Sequence, residues 1–248
     1  MSVKHTVILG GTKGIGLVLA ATLAAQGEDV SVLGRSAPTA ALAKYPNLRH
    51  EGCDFGKPGS LVAALNAIHT SRPAINHLVF FQRYRGDGDK WQGEIETTLQ
   101  AARETIDFFS AHFDPSADNS IVGVSSVVGE FVAADQPVSY HLAKAGLIQL
   151  MRYYAVTLGP RGVRANTVCP GTTVKPESAD FYAKNTPLNE LYRKIVPLAR
   201  MGRAEDVTNV VRFLCSPMSS FVTGQTIFVD GGVSLRSQES LARNLTQI

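Results

Sequence analysis

A glycine-rich turn near the start of the chain constrains the fold more than any other feature. Four glycines lie within residues 10–16, between a short apolar run at 7–9 and a helical pattern at 15–26. Glycine allows a tight turn and a close approach of backbone N–H groups to a phosphate, and a helix N-terminus adds a favourable dipole. The position between a strand and a helix predicts a turn that holds a dinucleotide pyrophosphate, with an ordinary glycine-rich turn as the alternative.

Strand-like and helix-like patterns alternate along the rest of the chain. The sequence predicts strands at 7–9, 29–33, 48–53, 77–81, 120–125, 164–169 and 225–229, and helices at 15–26, 58–70, 91–113, 138–158 and 205–215. The second of these helices is expected to begin at Pro58, where a missing N–H is tolerated. The alternation predicts an α/β fold, a single-domain Rossmann-type doubly wound parallel sheet of about seven strands with helices on both faces. No repeat or linker divides residues 1–248, which we therefore take as one domain.

Net charge and cysteine content exclude several classes of protein. The net charge is +3 with 18% charged residues, whereas a nucleic-acid-binding surface needs clustered lysine and arginine. No apolar run reaches the roughly 18 residues of a transmembrane helix, and the N-terminus shows no cleavable signal pattern. Cys53, Cys169 and Cys215 are too widely spaced for a disulfide framework or a metal site. We therefore expect a cytoplasmic protein that binds no nucleic acid, membrane or metal.

A tyrosine and a lysine form the second informative pattern. Tyr140 and Lys144 are four residues apart in the predicted helix 138–158, so they share one helix face. A phenol has a pKa of about 10, which a neighbouring cation lowers, and such a tyrosine can exchange a proton with an alkoxide near neutral pH. The same spacing also occurs on exposed helix faces, but Ser125 and Ser126 at the preceding strand end favour a catalytic site.

These motifs occur in one order along nearly the whole chain. The glycine turn has the spacing Gly-x-x-x-Gly-x-Gly, the pair has the form Tyr-x-x-x-Lys, and related stretches follow at 166–171, 203–207, 223–225 and 229–232. The chain therefore resembles the short-chain dehydrogenase/reductase family of the classical type. The resemblance implies an oxidoreductase that interconverts a carbonyl and a secondary alcohol on a small molecule.

The resemblance also assigns roles to individual residues. It makes Tyr140 the general acid/base, and Lys144 the group that lowers the tyrosine's pKa and holds the nicotinamide ribose. Ser126 polarises the reacting oxygen, with Ser125 as the alternative. Implied cofactor contacts are Gly10, Thr12, Lys13, Gly14, Ile15, Gly16, Arg35, Ser36, Asp54, Phe55, Gln82, Tyr140, Lys144, Pro170, Gly171, Thr172 and Thr173. For Asp54, a turn or helix cap is the alternative reading.

The end of the second strand bears on the choice of cofactor. NAD enzymes commonly carry an acidic residue there to bind the ribose 2′-hydroxyl, but this strand is followed by Arg35 and Ser36. Lys13 lies at a position where NADP-preferring members of the family often carry a base. Two cations converging on one phosphate favour NADP(H) over NAD(H), and two solvated surface charges are the alternative.

Two segments depart from the family pattern. Residues 80–83, Phe-Phe-Gln-Arg, replace the usual Asn-Asn-Ala-Gly, and Thr98 replaces the helix asparagine that anchors a proton-relay water. Alternative frames for the second match place Thr97 or Gln100 there. We expect a slower enzyme or one with an altered relay, and a low-turnover NADP(H)-binding regulatory protein is the alternative function.

The substrate and the assembly are only outlined by the sequence. The segment at about 174–200 is predicted to be irregular or helical and, by resemblance, to hold the substrate. Its polar, basic character suggests an anionic or sugar-like compound, and Arg83 and Arg85 either face such a compound or flank a surface loop. The resemblance implies a homodimer or homotetramer packed through helices 91–113 and 138–158 and the last strand.

Overall fold

Strands of apolar, β-branched residues form the centre of the molecule. The computed structural model describes residues 3–246, and its strands are β1 (His5–Leu9), β2 (Asp29–Gly34), β3 (Leu48–Gly52), β4 (His77–Phe80), β5 (Asn119–Val124), β6 (Val163–Pro170), β7 (Thr173–Val174), β8 (Gly202–Arg203) and β9 (Thr226–Val229). Seven of them pair in parallel in the order β3-β2-β1-β4-β5-β6-β9, and β7 and β8 form a separate pair. The predicted seven-stranded parallel sheet is confirmed.

Helices cover both faces of this sheet. They are α1 (Gly14–Ala25), α2 (Thr39–Lys44), α3 (Ser60–Ser71), α4 (Lys90–Glu94), α5 (Ala101–Phe109), α6 (Val138–Leu158), α7 (Ala179–Lys184), α8 (Thr186–Ile195), α9 (Ala204–Leu214) and α10 (Gln238–Thr246). Buried side chains of α3, α5 and α6 form the core on one face, and those of α1 and α9 form the core on the other. No helix within residues 3–246 is long and apolar enough to cross a membrane.

The strand order fixes where a ligand can bind. The chain reverses direction across the sheet between β1 and β4, which are neighbours although β2 and β3 lie between them in sequence. At such a switch point, the loops beyond the carboxyl ends of the strands diverge and leave a crevice. The glycine turn after β1, the loop after β4 and the serines after β5 therefore meet at one edge.

Several helices differ from the sequence prediction by more than one residue at an end. The helix predicted at 91–113 is divided by a π-helix at Ile95–Gln100 and ends at Phe109. The helix predicted to begin at Pro58 begins at Ser60, because Gly59 adopts a left-handed φ of 76° that a right-handed helix excludes. A short helix, α2, follows β2 where none was predicted.

Candidate active site

The glycine turn packs tightly enough that two of its positions exclude a side chain. At Gly10 φ is +75°, and a Cβ atom would lie 2.6 Å from the Gln82 backbone nitrogen. At Gly16 a Cβ atom would lie 2.4 Å from the Gly10 carbonyl oxygen. The first turn of α1 has no side-chain cap and no acidic residue, so its N–H groups and positive dipole end remain suited to an anion.

The turn also contacts the end of β2. The Gly10 N–H donates to the Leu33 carbonyl at 2.9 Å, and a Cβ atom at Gly34 would lie 2.6 Å from Thr12 Oγ1. Lys13 and Arg35 flank this contact, and both are exposed, as is Ser36. Neither cation forms an ion pair with another residue between 3 and 246.

Two side chains from a distant segment lie against the same turn. A Cβ atom at Gly14 would lie 3.0 Å from Glu177 Oε1 and 3.5 Å from Lys175 Cδ. Sequence reasoning missed both residues, because their approach depends on how the segment after β7 folds back. The Glu177 carboxylate and the aliphatic part of the Lys175 side chain therefore border the start of α1.

The residues predicted to line the adenosine side behave differently from one another. Asp54 is exposed, and its Oδ1 accepts from the Gly56 N–H at 3.3 Å. This bond is the turn cap given above as the alternative to a cofactor contact. Phe55 is half-buried and packs on the core under α3. Gln82 is buried and its amide donates to the Thr98 carbonyl at 3.5 Å, while its Oε1 is buried without a hydrogen-bond partner among the described residues.

The loop after β6 ends beside the substrate segment. Pro170 is the last residue of β6, and the Gly171 N–H donates to the Val229 carbonyl at 3.1 Å. The Tyr192 hydroxyl donates to Thr172 Oγ1 at 2.7 Å, and the Thr173 hydroxyl donates to the Gly171 carbonyl at 3.0 Å. Both threonine hydroxyls therefore have partners within the chain, one of them from α8.

The two serines after β5 have separate environments. Ser125 is 5% exposed, and its hydroxyl donates to the Lys144 carbonyl at 2.8 Å. Ser126 is half-buried and begins a short 3₁₀ turn, where its Oγ accepts from the Val128 N–H at 3.4 Å. Ser125 thus ties the strand end to α6, while the Ser126 hydroxyl retains its proton for another acceptor.

Tyr140 and Lys144 lie on one face of α6, as their spacing predicts. The Lys144 Nζ atom is 5.8 Å from the centre of the Tyr140 ring and donates to the Val124 carbonyl at 3.1 Å. Burial lowers the pKa of Lys144 to about 8; the Glu94 carboxylate opposes this shift and the Arg83 guanidinium adds to it. The lysine is therefore a desolvated cation whose charge depends on its neighbours.

Arg83 points into the site and not along the surface of a loop. Its Cζ atom lies 3.9 Å from the centre of the Tyr140 ring, and its Nη2 donates to Gln136 Oε1 at 3.2 Å. Its Nε is 3.5 Å from Glu94 Oε1. Sequence reasoning missed Glu94, because an acid in a helical pattern is usually solvent-facing.

Thr98, which replaces the family's helix asparagine, is hydrogen-bonded to Glu94, the partner of Arg83. Thr98 is fully buried within the π-helix, and its hydroxyl donates to Glu94 Oε2 at 3.3 Å. Its carbonyl accepts the Gln82 amide. Both departures from the family pattern, at 80–83 and at 98, therefore meet at Glu94 and Gln82.

A further group of cations borders the site. Lys175 is half-buried, and its pKa is lowered first by burial and then by Arg85, with Arg83 contributing in the same direction. The Glu177 carboxylate acts against these effects. The charges of Arg85 and Arg83 therefore both act on Lys175, and Arg83 also contacts the Tyr140 ring.

The chain is similar to known proteins over nearly its whole length. A family model described as enoyl-(acyl carrier protein) reductase matches residues 10–234, a range that contains every site residue described above. The 3-oxoacyl-(acyl-carrier-protein) reductase FabG of Chlamydia pneumoniae is 29% identical over 244 residues, which are 93% of this chain and 97% of that protein. Isoepoxydon dehydrogenase patN of Penicillium expansum is 26% identical over 248 residues, with 94% and 96% covered. A solved short-chain type dehydrogenase/reductase from Mycobacterium ulcerans has a TM-score of 0.84 at 25% identity, and the match covers 98% of this chain and 96% of that one.

Proposed function

Because this chain belongs to the short-chain dehydrogenase/reductase family, we propose that it is an NADP(H)-dependent enzyme. It uses Ser126, Tyr140 and Lys144 to interconvert a small anionic ketone and its secondary alcohol. The broader activity, that of an NAD(P)-dependent oxidoreductase acting on CH–OH or C=O groups, follows from family membership. The observation that carries the proposal is the placement of Tyr140 beside two cations at the edge that also holds the glycine turn.

Each of the three residues has one task in the proposed reaction. A bound nicotinamide supplies or accepts the hydride. The Ser126 hydroxyl donates to the reacting oxygen, and the Tyr140 hydroxyl gives that oxygen its proton during reduction and takes it back during oxidation. The Lys144 ammonium stabilises the phenolate that Tyr140 becomes, an effect that is strong because Lys144 is buried.

The residues around the glycine turn fit a dinucleotide phosphate. The turn leaves a cradle that a Cβ atom at Gly10 or Gly16 would fill, and α1 begins without a cap. In our proposal the pyrophosphate lies there, with Lys175 as an additional cation, and Lys13, Arg35 and Ser36 hold the 2′-phosphate. The exposure of these three and the absence of an acid after β2 favour NADP(H).

The charge beside Tyr140 favours an anionic over a sugar-like substrate. Arg83, Arg85 and Lys175 raise the local potential. Arg83 is already engaged by Glu94, and Lys175 lies by the pyrophosphate in our proposal, so Arg85 remains to meet a carboxylate or phosphate of the substrate. The substrate segment at 174–200 supplies Lys175 and also Tyr192. Its helices α7 and α8 have no buried residue, and a cavity of about 620 Å³ lies between these helices and the start of α9.

The long helices also support the predicted homo-oligomer. Val138, Leu142, Tyr153 and Val156 on α6 are 47 to 76% exposed, and Phe228 lies on the edge strand β9. An apolar groove runs between the π-helix and α6, lined by Ile95, Leu99, Gly146, Leu150 and Tyr153.

Sedimentation should give a multiple of 26.6 kDa for the wild type and a smaller species for Leu142→Arg with Val156→Arg. A monomeric wild type would reject this part of the proposal, and cell fractionation tests the predicted cytoplasmic location.

A panel of ketones tests the activity and the substrate class together. Oxidation of NADPH is followed by absorbance with 2-oxo and 3-oxo carboxylates, their methyl esters and neutral aldoses. We expect turnover with acids, much less with esters, and none with Tyr140→Phe. Tyr153→Phe, an exposed tyrosine on the same helix, is the matched control and should keep full activity. Binding of NADPH without any turnover would instead favour the low-turnover binding protein, and equal turnover of acids and esters would reject the anionic substrate.

A further inference from the structure

A buried carboxylate stands between the two cations that flank Tyr140. Glu94 is 3% exposed, and its two oxygens face Arg83 Nε at 3.5 Å and the Thr98 hydroxyl at 3.3 Å. Lys144 is also 3% exposed, and after burial the Glu94 charge has the largest effect on the pKa of Lys144. The region around the Tyr140 ring therefore holds two buried or half-buried cations and one buried anion.

Charge balance requires Glu94 at this place. Moving an ion out of water costs several kcal/mol, and two cations without an anion would add repulsion to that cost. With Glu94 ionised, Arg83 gains a partner and Lys144 gains an opposing charge, so the site carries one excess positive charge in place of two. The Gln136 and Thr98 hydrogen bonds hold the arginine and the carboxylate in a single arrangement.

The ion pair of Glu94 with Arg83 affects Tyr140, because Arg83 also contacts the Tyr140 ring. The Arg83 Cζ atom lies 3.9 Å from the centre of the Tyr140 ring, which is within the range of a cation–π contact. An arginine free of Glu94 would turn toward solvent, where its guanidinium is better hydrated. Glu94 touches neither the reacting oxygen nor the Tyr140 side chain in the contacts that the structure shows, so it acts through Arg83 and Lys144.

We propose that Glu94 is a positioning residue of this active site: its buried carboxylate fixes the Arg83 guanidinium on the face of the Tyr140 ring and balances the Lys144 ammonium. The inference rests on the proposed function, because it assigns Tyr140 the proton transfer. It also gives the two departures from the family pattern a single role, since the arginine at 83 and the threonine at 98 both bind Glu94.

A measurement on Lys144 tests the arrangement without substrate or cofactor. The groups around its ammonium are Glu94 from α4, Arg83 from the loop after β4, Cys169 from β6 and Lys175 from the substrate segment. The side-chain Cε–Hε resonance of Lys144 is assigned by its loss in Lys144→Met and followed by NMR against pH. Glu94→Gln should lower the pKa of Lys144 below about 8, and Arg83→Met should raise it.

Controls separate this effect from a general loss of structure. Glu96→Gln removes a carboxylate two residues later, in the adjoining π-helix, whose partner is Gln92, and should leave the Lys144 titration unchanged. Glu94→Gln leaves Arg83 without its anion and can fail to fold, so the double variant Arg83→Met with Glu94→Gln is made beside it. The double variant should be more stable than Glu94→Gln alone, because it removes the uncompensated cation.

Kinetics then test the effect on the reaction. Glu94→Gln should lower kcat by roughly 10- to 100-fold while the KM for NADPH stays nearly constant, because a displaced Arg83 affects the proton transfer and not cofactor binding. Glu94→Asp should recover part of the loss. Unchanged Lys144 titration and kcat in Glu94→Gln would overturn the inference, as would a defect confined to the KM for the ketone. Absence of turnover in the wild type would count against the proposed function alone, because the Lys144 titration is read without turnover.

Discussion

Mild acid should destabilise this protein through two buried histidines. The His5 Nδ1–H donates to the Ala74 carbonyl at 3.2 Å, and His5 Nε2 lies 2.9 Å from Ser31 Oγ. His77 meets Ser120 Oγ at 2.9 Å and is 1% exposed. Burial lowers the pKa of His5 to about 4 and that of His77 to about 3. Both residues lie at the amino ends of adjacent strands, away from the proposed active site.

Proton linkage gives the sign and the size of the change in the free energy of unfolding with pH. A histidine in the unfolded chain has a pKa of about 6.5. Below that pH the unfolded chain binds more protons than the native protein, so the free energy of unfolding falls. At about pH 5 each histidine costs about 2 kcal/mol relative to about pH 7.5, or about 4 kcal/mol together. That is a large part of the 5–15 kcal/mol typical of a native protein. Burial raises the pKa of Glu28, which works in the opposite direction nearer its own titration range.

Urea unfolding at about pH 7.5 and about pH 5 measures this difference. The double variant His5→Gln with His77→Gln should be less stable at the higher pH, since buried hydrogen bonds are lost, but should show a much smaller pH dependence. His69→Gln, at a half-buried histidine on α3 that packs against Phe108, should retain the wild-type dependence. A wild type that loses less than about 1 kcal/mol between the two pH values, or a double variant with an unchanged slope, would refute the reasoning.

Three further outcomes concern the cofactor site. Lys13→Ala with Arg35→Ala should weaken NADPH binding by about tenfold and leave NADH binding unchanged in a fluorescence titration; an equal loss for both cofactors would place the two cations elsewhere. Glu177→Gln should tighten NADPH binding by about two- to fivefold, because it removes a negative charge from the start of α1, and unchanged affinity would contradict that placement. Gly10→Ala should abolish binding and lower the Tm of the cofactor-free protein, since the new Cβ meets the Gln82 backbone and the left-handed φ adds about 1–2 kcal/mol of strain; a normal Tm would show that the turn can relax.

Local patterns in the sequence were sufficient for the sheet and for part of the site. The glycine turn joins β1 to α1 without any long-range information, and the Tyr140–Lys144 pair follows from helix geometry alone. The structure also separates the two serines that the sequence left open, since Ser125 bonds to the Lys144 backbone and Ser126 does not.

Other features depend on contacts between distant segments. Glu94 is indistinguishable in sequence from a solvent-facing helix acid, and only its burial beside Arg83 distinguishes it. The π-helix at Ile95–Gln100 has hydrogen bonds from i to i+5, and the spacing of apolar residues in the predicted helix does not indicate this change. Lys175 reaches the glycine turn only because its segment folds back over α1.

Transfer of label from the cofactor is the most direct test of the account. NADPH carrying tritium at C4 of the nicotinamide, prepared separately with label on either face, is incubated with the protein and a small-metabolite extract. The account predicts that one preparation yields a labelled alcohol, and that Tyr140→Phe binds NADPH normally but yields none. If neither face transfers label to any metabolite although NADPH binds, the chain is a binding protein and the roles assigned to Ser126, Tyr140 and Lys144 are wrong.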